Sequence, residues 1–221
     1  MRLSLPPAQS YYALDDAWGT CAPLRGEVSV DVAVLGGGIA GCSAALHLAK
    51  RGYRVALLEA RHVGYGASGR AGGQTIFGLA VGQQKLEREV GREDAHRLFD
   101  LSIEALDLTQ SLIRDYAIDC DYRPNHVHVG LKARHVQELR EWTRELQEEY
   151  AYGSVRMLNR DEMQAHVRSD RYLAGLMDPR SGHLHPLKYT RGLARAAAAA
   201  AFHSSGRSRD SREPAAPTRQ P

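Results

Sequence analysis

The sequence predicts an α/β chain that opens with an incomplete Rossmann-like βαβ domain and continues into part of an α+β domain. Three observations predict it. Asp31 to Gln74 reads strand, glycine turn, helix, strand and acid in that order. A second glycine-rich loop follows directly. Further on, the hydrophobic period alternates between the 3.6 of helices and the 2 of strands.

The first strand is the run Val32-Ala33-Val34-Leu35, whose length and β-branched content fit a strand buried on both faces. Gly36-Gly37-Gly38 turns the chain, and Ile39 to Lys50 reads as a helix with its Ala, Leu and Ile on the packed side. Arg51-Gly52 ends that helix, Arg54 to Leu58 is a second buried strand, and Glu59 closes it. Gly36, Gly38 and Gly41 spell G-x-G-x-x-G, with the acid eighteen residues after Gly41. Each part has a mechanism. Gly36 makes the tight turn, Gly38 lets backbone approach a pyrophosphate, and Gly41 lets helix and strand pack closely. The helix start offers N–H groups and positive dipole to phosphates. Glu59 is placed to accept from ribose hydroxyls, and an acid at this point argues against a 2′-phosphate and so against NADP.

Residues 64–73 hold five glycines. Such a run forms poor helix or strand interior, and it fits backbone that must pass close to something flat or charged. With Ser68 as a donor and Arg70 as a cation, the loop reads as lying along a second part of the same cofactor. A plain flexible surface loop is the structural alternative.

The totals bound the rest. The chain has 221 residues, a formal charge of +3 and 43% hydrophobic residues. That is enough for one domain and part of another, and the scattered charge gives no reason to expect nucleic acid. Cys21, Cys42 and Cys120 form no paired framework or C-x-x-C, which fits a reducing cytoplasm. No signal peptide and no apolar run of membrane-spanning length is visible.

Residues 1–27 read as a wrapping segment, with Pro6, Pro7, Tyr11, Tyr12 and Trp18 either anchored on the domain or lining a substrate entrance. Gln83 to Tyr116 reads as two helices divided at Gly91, with Leu98, Leu101, Ala105, Leu108 and Leu112 as the apolar stripe. From His126 to Leu131 the residues alternate, placing Val127, Val129 and Leu131 on one face and His126 and His128 on a partly exposed one. H-x-H on a strand is a possible metal pair, but no third ligand accompanies it in helical spacing, so no metal is expected. Ala133 to Tyr150 returns to helix with Val136, Leu139, Trp142 and Leu146 inward. Asn159 is read as a helix cap, Tyr172 to Met177 as a short strand, and Pro186 as the first turn of a helix. His183 and His185 are read as a local polar turn before that helix, with substrate contact as the alternative.

The VAVLGGGIAG fingerprint, the LLEA ending with Arg61, and GYGASGRAGGQ together resemble the D-amino-acid-oxidase-like superfamily of FAD-dependent oxidoreductases. Within it, the likeness is to γ-glutamylputrescine oxidase-type amine oxidases, and SYYA at Ser10 to Ala13 with Leu24-x-Gly26 fits that group's N-terminus. The resemblance implies FAD as cofactor, a small-molecule amine as substrate, and hydride transfer to flavin N5. It implies cofactor-binding residues Gly36, Gly37, Gly38, Ile39, Ala40, Gly41, Glu59, Ala60, Arg61, Ala67, Ser68, Gly69, Arg70, Gly72, Gly73 and Gln74. It names no catalytic acid or base. Ala71 stands where the family carries an asparagine, so an amide that bonds loop or flavin is missing there. The implied organisation is an FAD-binding part over 28–118, a partial substrate domain over 119–180, and a return helix over 181–202. From His203 onward no Val, Leu or Ile occurs, so residues 203–221 are expected to form no core, as in a truncated or frameshifted reading frame. A basic tail for an acidic partner is the alternative there. At the level of function, the alternatives are an inactive fragment holding only the ADP part of FAD, and an NAD-binding dehydrogenase.

Overall fold

A computed structural model describes residues 10–13 and 23–207. The expectations for Trp18, Cys21, Pro6, Pro7 and residues 208–221 lie outside the described residues. By contacts the chain divides into two compact units. The first gathers the described residues up to Ala71, Ile118–Cys120 and the segment from Pro186; the second holds Gly72–Ala117 and Asp121–His185.

In the first unit, β1 (Val32–Leu35) and β2 (Val55–Leu58) pair in parallel, Val32 opposite Val55 and Leu35 opposite Leu58. α1 (Ile39–Lys50) connects them. This is the βαβ unit read from the sequence. α1 buries Cys42, Ala45, Leu46 and Ala49 and packs against α6 (Pro186–Arg207). α6 contributes Leu193, Ala196 and Ala197, all buried, and it starts at Pro186 as expected. It runs on through Arg207, past the expected end of the return helix. Gly192 lets α6 cross Ile118, since a side chain there would overlap Ile118 Cγ2. The strands are less buried than expected. Val32 and Val34 are half-buried while Ala33 is exposed and Leu35 is 80% exposed. Among the described residues this sheet has two strands, and α1 alone cannot cover both of its faces. Tyr11 lies in a short 3-10 turn and is also exposed rather than anchored.

The second unit is built on an antiparallel sheet in which β6 (Ala174–His183) pairs with β4 (Arg123–Gly130) on one edge and with β3 (Gln74–Thr75) and β5 (Arg156–Leu158) elsewhere along its length. β6 extends well beyond the Tyr172–Met177 strand expected, through Pro179 to His183. The register shifts between Pro124 and His126, where Asn125 takes φ +75, a conformation that asparagine tolerates and that suits a bulge.

α2 (Gln83–Val90) and α3 (Arg92–Asp115) are divided at Gly91 as the sequence predicts. They group with the second unit, whereas the sequence places them with the nucleotide-binding part. Their buried side chains explain this. Phe99 and Leu106 of α3 share a core with Phe77, Leu139, Leu146, Tyr150, Tyr152, Val155 and Leu176. The buried face of α3 is therefore Ala95, Phe99, Ser102 and Leu106, not the leucine stripe. Leu101 is 57% exposed and Leu108 44% exposed; of the expected stripe, Leu112 alone is buried. Ser102 can take a buried place because its hydroxyl donates to Phe99 O at 2.6 Å and accepts from Gly78 N at 2.9 Å.

α4 (Ala133–Glu148) presents Leu139 and Leu146 to the core, with Trp142 packed beside them. The face of β4 that meets this core is the histidine face. His126 lies opposite Asp178 and His128 opposite Leu176, and the His128 ring meets Trp142 edge-on at 4.8 Å. His126, Val127 and His128 are each half-buried, so the histidine face is partly exposed as expected, while Val129 and Leu131 are exposed. Burial pushes both histidines below their ordinary pKa, with repulsion from the neighbouring histidine adding to this at His128. Neutral imidazoles can pack against an indole at no Coulombic cost. α5 (Arg160–His166) begins with the cap expected at Asn159. Glu162 N donates to Asn159 Oδ1 at 3.0 Å while Asn159 N donates to Glu162 Oε2 at 2.8 Å. This is a reciprocal capping box.

The centre of the second unit is a buried carboxylate. Asp178 is 1% exposed and accepts from Tyr152 OH (2.9 Å), Ser154 OH (2.7 Å), Arg180 N (3.2 Å) and Ser181 N (3.1 Å). Burial alone pushes this carboxyl up. The hydrogen bonds from Ser181, Ser154, Tyr152 and Arg180 together outweigh it and hold Asp178 below the ordinary aspartate value. Arg180 then reaches α3, binding both oxygens of Asp107 at 2.7 and 2.8 Å.

Candidate dinucleotide site

The site residues from Gly36 to Arg70 lie in the first unit, where the turn after β1 meets the end of β2. Gly36 has φ +101, a value that favours glycine, and its N–H donates to Leu58 O at 2.8 Å. A side chain at Gly41 would overlap the Gly36 carbonyl oxygen, so α1 can lie this close to β1 only with glycine there. Gly38 is tight for a different reason. A Cβ there would sit 2.8 Å from Ser68 Oγ. The missing side chain makes room for Ser68 from the second glycine loop.

Glu59 stands at the end of β2, where the sequence places it. Its two carboxylate oxygens accept from different backbone groups, Oε2 from Gly37 N at 2.7 Å and Oε1 from Arg61 N at 2.9 Å. Those bonds fix the carboxylate against the glycine turn while each oxygen keeps capacity to accept a further bond. Ser68, read as a donor from the sequence, uses its oxygen to accept from Ile39 N at 3.1 Å. Gly64 N donates to Gly37 O at 2.9 Å. Three bonds thus stitch the 59–68 segment onto the first glycine turn.

At the start of α1, Cys42 N donates to Gly38 O. The N–H groups of Gly38, Ala40 and Gly41 have no protein partner among the described residues. They are three donors at the positive end of a twelve-residue helix. Cys42, on the buried side of the same turn, has its thiol pushed up to about 11 by burial and then by the Glu59 charge. It stays neutral near pH 7 and sets no negative charge under that helix end.

The second loop folds as a short 3-10 turn over Ala67–Gly69. A side chain at Gly69 would overlap Gly64 O and press on Leu187 of α6, so the loop is packed rather than loose. Arg191 of α6 reinforces this, its Nε donating to Val63 O at 3.4 Å. Ala60 and Ala67 are exposed.

Tyr65, which sequence reasoning passed over, is a hub. The Arg61 guanidinium lies 4.6 Å from its ring centroid and that of Arg70 lies 5.2 Å away. Arg61 Nη1 donates to Tyr65 OH at 3.4 Å, and Arg70 Nε and Nη2 donate to Tyr65 O at 3.2 and 2.7 Å. The one sequence signal was a tyrosine amid glycines, four residues after one arginine and five before another.

Gly72, Gly73 and Gln74 belong to the second unit. There Gly73, at φ +72, accepts from Leu184 N at 2.8 Å, and Gln74 pairs with His183. Among the described residues no group of three or more His, Cys, Asp or Glu side chains is arranged to hold a metal ion, and no helix is long and apolar enough to cross a membrane.

This geometry fits a nucleotide's parts. A rigid acid bonded to the glycine turn can accept from hydroxyls, the neighbouring unpartnered N–H groups at a positive helix end can donate to phosphate, and the second loop gathers two guanidiniums on Tyr65.

The comparisons with known proteins agree in kind. The family model described as DAO, FAD dependent oxidoreductase, matches residues 31–204. A probable oxidoreductase OrdL of Haemophilus influenzae is 40% identical over 174 residues, which are 79% of this chain and 40% of that protein. The gamma-glutamylputrescine oxidoreductase of Escherichia coli is 36% identical over 184 residues, 83% of this chain and 43% of that one. Among solved structures, an L-amino acid deaminase from Proteus myxofaciens superposes with a TM-score of 0.66 at 23% identity, covering 82% of this chain and 39% of that chain, a likeness of fold. The matched segments span less than half the length of these curated relatives. On the family match, this chain belongs to the FAD-dependent oxidoreductases.

Proposed function

We propose that the first unit holds the adenosine diphosphate part of FAD and serves the oxidation of a small amine of the γ-glutamylputrescine kind. The observation that carries this reading is Glu59, locked by Gly37 N and Arg61 N beside the unpartnered N–H groups of Gly38, Ala40 and Gly41. In this reading Glu59 accepts from the ribose hydroxyls. Gly38, Ala40 and Gly41 donate to the pyrophosphate, and Arg61 and Arg70 balance its charge. Ile39, Ala60, Ala67, Ser68 and Gly69 shape the wall around it. Gly72, Gly73 and Gln74, which follow this loop in sequence, belong to the second unit. Bound FAD would supply, at flavin N5, the acceptor for a hydride leaving the carbon next to an amine nitrogen. The protein's share is binding and orientation, and none of its side chains is assigned as an acid or base. The gamma-glutamylputrescine oxidoreductase similarity supports the substrate class.

A ligand panel tests it. FAD and ADP are expected to raise the Tm of the purified chain, FAD to bind more tightly than NAD, and FMN to have no effect. Glu59→Gln, which keeps one acceptor oxygen of two, is expected to weaken FAD about tenfold, the equivalent of one charged hydrogen bond of ~1.5 kcal/mol. Tighter binding of NAD than of FAD, or an unchanged Glu59→Gln affinity, contradicts the reading.

A further inference from the structure

We propose that Tyr65 is a positioning residue that gathers Arg61 and Arg70 into one paired cation for the diphosphate. The inference rests on the dinucleotide reading above and adds to it how the charge is supplied. Two guanidiniums lie within 4.6 and 5.2 Å of a single ring centroid. Left to themselves, two like charges on long flexible side chains spread apart into solvent. The negative face of an aromatic ring attracts both. Arg61 is also held by the Tyr65 hydroxyl, and Arg70 by the Tyr65 carbonyl. One residue therefore grips both arginines, one through its side chain and the other through ring and backbone.

The ring itself is fixed. Tyr65 N donates to His62 O at 3.0 Å, the His62 ring meets the Tyr65 ring edge-on at 4.9 Å, and the adjacent Gly64 N is bonded to Gly37 O of the glycine turn. The residue next to Tyr65 is thus tied to the same glycine turn that precedes the unpartnered N–H groups of α1. A dinucleotide's diphosphate carries two negative charges, and two cations ordered in advance lose less freedom when it arrives. A packing role alone gives a different pattern, because in the dinucleotide reading Glu59 serves the adenosine part and the two guanidiniums serve the diphosphate.

The test is a titration of wild type, Tyr65→Leu and Tyr65→Phe with FAD, ADP and adenosine. Tyr65→Leu keeps bulk and removes the ring face, and it is expected to weaken FAD and ADP about tenfold, two cation–π contacts' worth. Its adenosine affinity is expected to match wild type. Tyr65→Phe restores the ring and is expected to recover most of the ADP affinity. Should Tyr65→Leu not fold, Tyr65→Phe in an Arg61→Gln background decides, because the hydroxyl's effect on ADP affinity must shrink when Arg61 is gone. Equal weakening of adenosine and ADP, no rescue by phenylalanine, or an undiminished hydroxyl effect without Arg61 overturns the proposal. Unchanged ADP binding in Tyr65→Leu overturns it while leaving the dinucleotide reading intact. A wild-type chain that binds neither FAD nor ADP overturns both.

Discussion

Gly41→Ala is expected to lose dinucleotide binding and about 3 kcal/mol of stability, the upper end of ordinary overpacking. The new methyl would overlap the Gly36 carbonyl oxygen. That oxygen is backbone in a turn held by Gly36 N to Leu58 O and by φ +101, so it cannot swing aside as a side-chain tip would. α1 must therefore lift from β1. Lifting it moves the Ala40 and Gly41 N–H groups and breaks the Ile39 bond to Ser68. Gly66→Ala is the matched control. Gly66 lies in the same site, has φ −76, and a methyl added to it would meet nothing within 4 Å. The stability of Gly66→Ala is therefore expected to stay within about 0.5 kcal/mol of wild type. Denaturant melts of the two variants check this, and equal stabilities would refute the packing argument.

Asp178→Ala is expected to cost the second unit about 3 kcal/mol or more, because it leaves Tyr152 OH, Ser154 OH and two backbone N–H groups without an acceptor at a site 1% exposed. The pH dependence has a definite sign. Asp178 is held below its unfolded value, about 3.9 for a free aspartate, so the folded state favours its charged form. Its contribution is present in full above that unfolded value and is lost as pH falls through the lower folded one. Asp178→Asn removes the titration, and its stability is expected to fall less steeply than wild type below about pH 4. Parallel acid-unfolding curves for the two would contradict the assignment. Tyr152 has the opposite sign. Burial, the Asp178 charge and their hydrogen bond all raise its pKa, so its contribution is present below the ordinary tyrosine value and declines in alkali.

The parts of this molecule that were legible in the sequence are those dictated by neighbours in the chain. The turn at Gly36, the Gly41 approach, the acid at Glu59, the break at Gly91, the Asn159 cap and the Pro186 start each depend on a few adjacent residues. What escaped depends on partners far away. α3 carries two overlaid registers, Leu98-Leu101-Ala105-Leu108 and Ala95-Phe99-Ser102-Leu106. Hydrophobicity favours the first, and the aromatic cluster around Phe77 selects the second. The same cluster brings Trp142 against His128, so that the partly exposed histidine face of β4 carries an aromatic contact. The strand read over Tyr172 to Met177 runs on through Asp178-Pro179 to His183, where the distant Tyr152 and Ser154 satisfy the carboxylate. β1 has the apolar run of a strand covered on both faces, yet its exposure is set by how many strands and helices flank it. Within the site, the glycines and Glu59 were readable from spacing. The hub at Tyr65 was not, because its meaning comes from where two arginine side chains fold back.

In the proposed reading, Gly36 to Arg70 holds the adenosine diphosphate part of FAD. The most direct measurement is a visible spectrum of the purified chain after incubation with FAD and removal of unbound ligand by gel filtration. A flavin absorption band is expected to co-elute with the protein, to be displaced by excess ADP and to be absent from Gly41→Ala. A folded wild-type chain that elutes colourless, or a flavin band that ADP leaves in place, would contradict it.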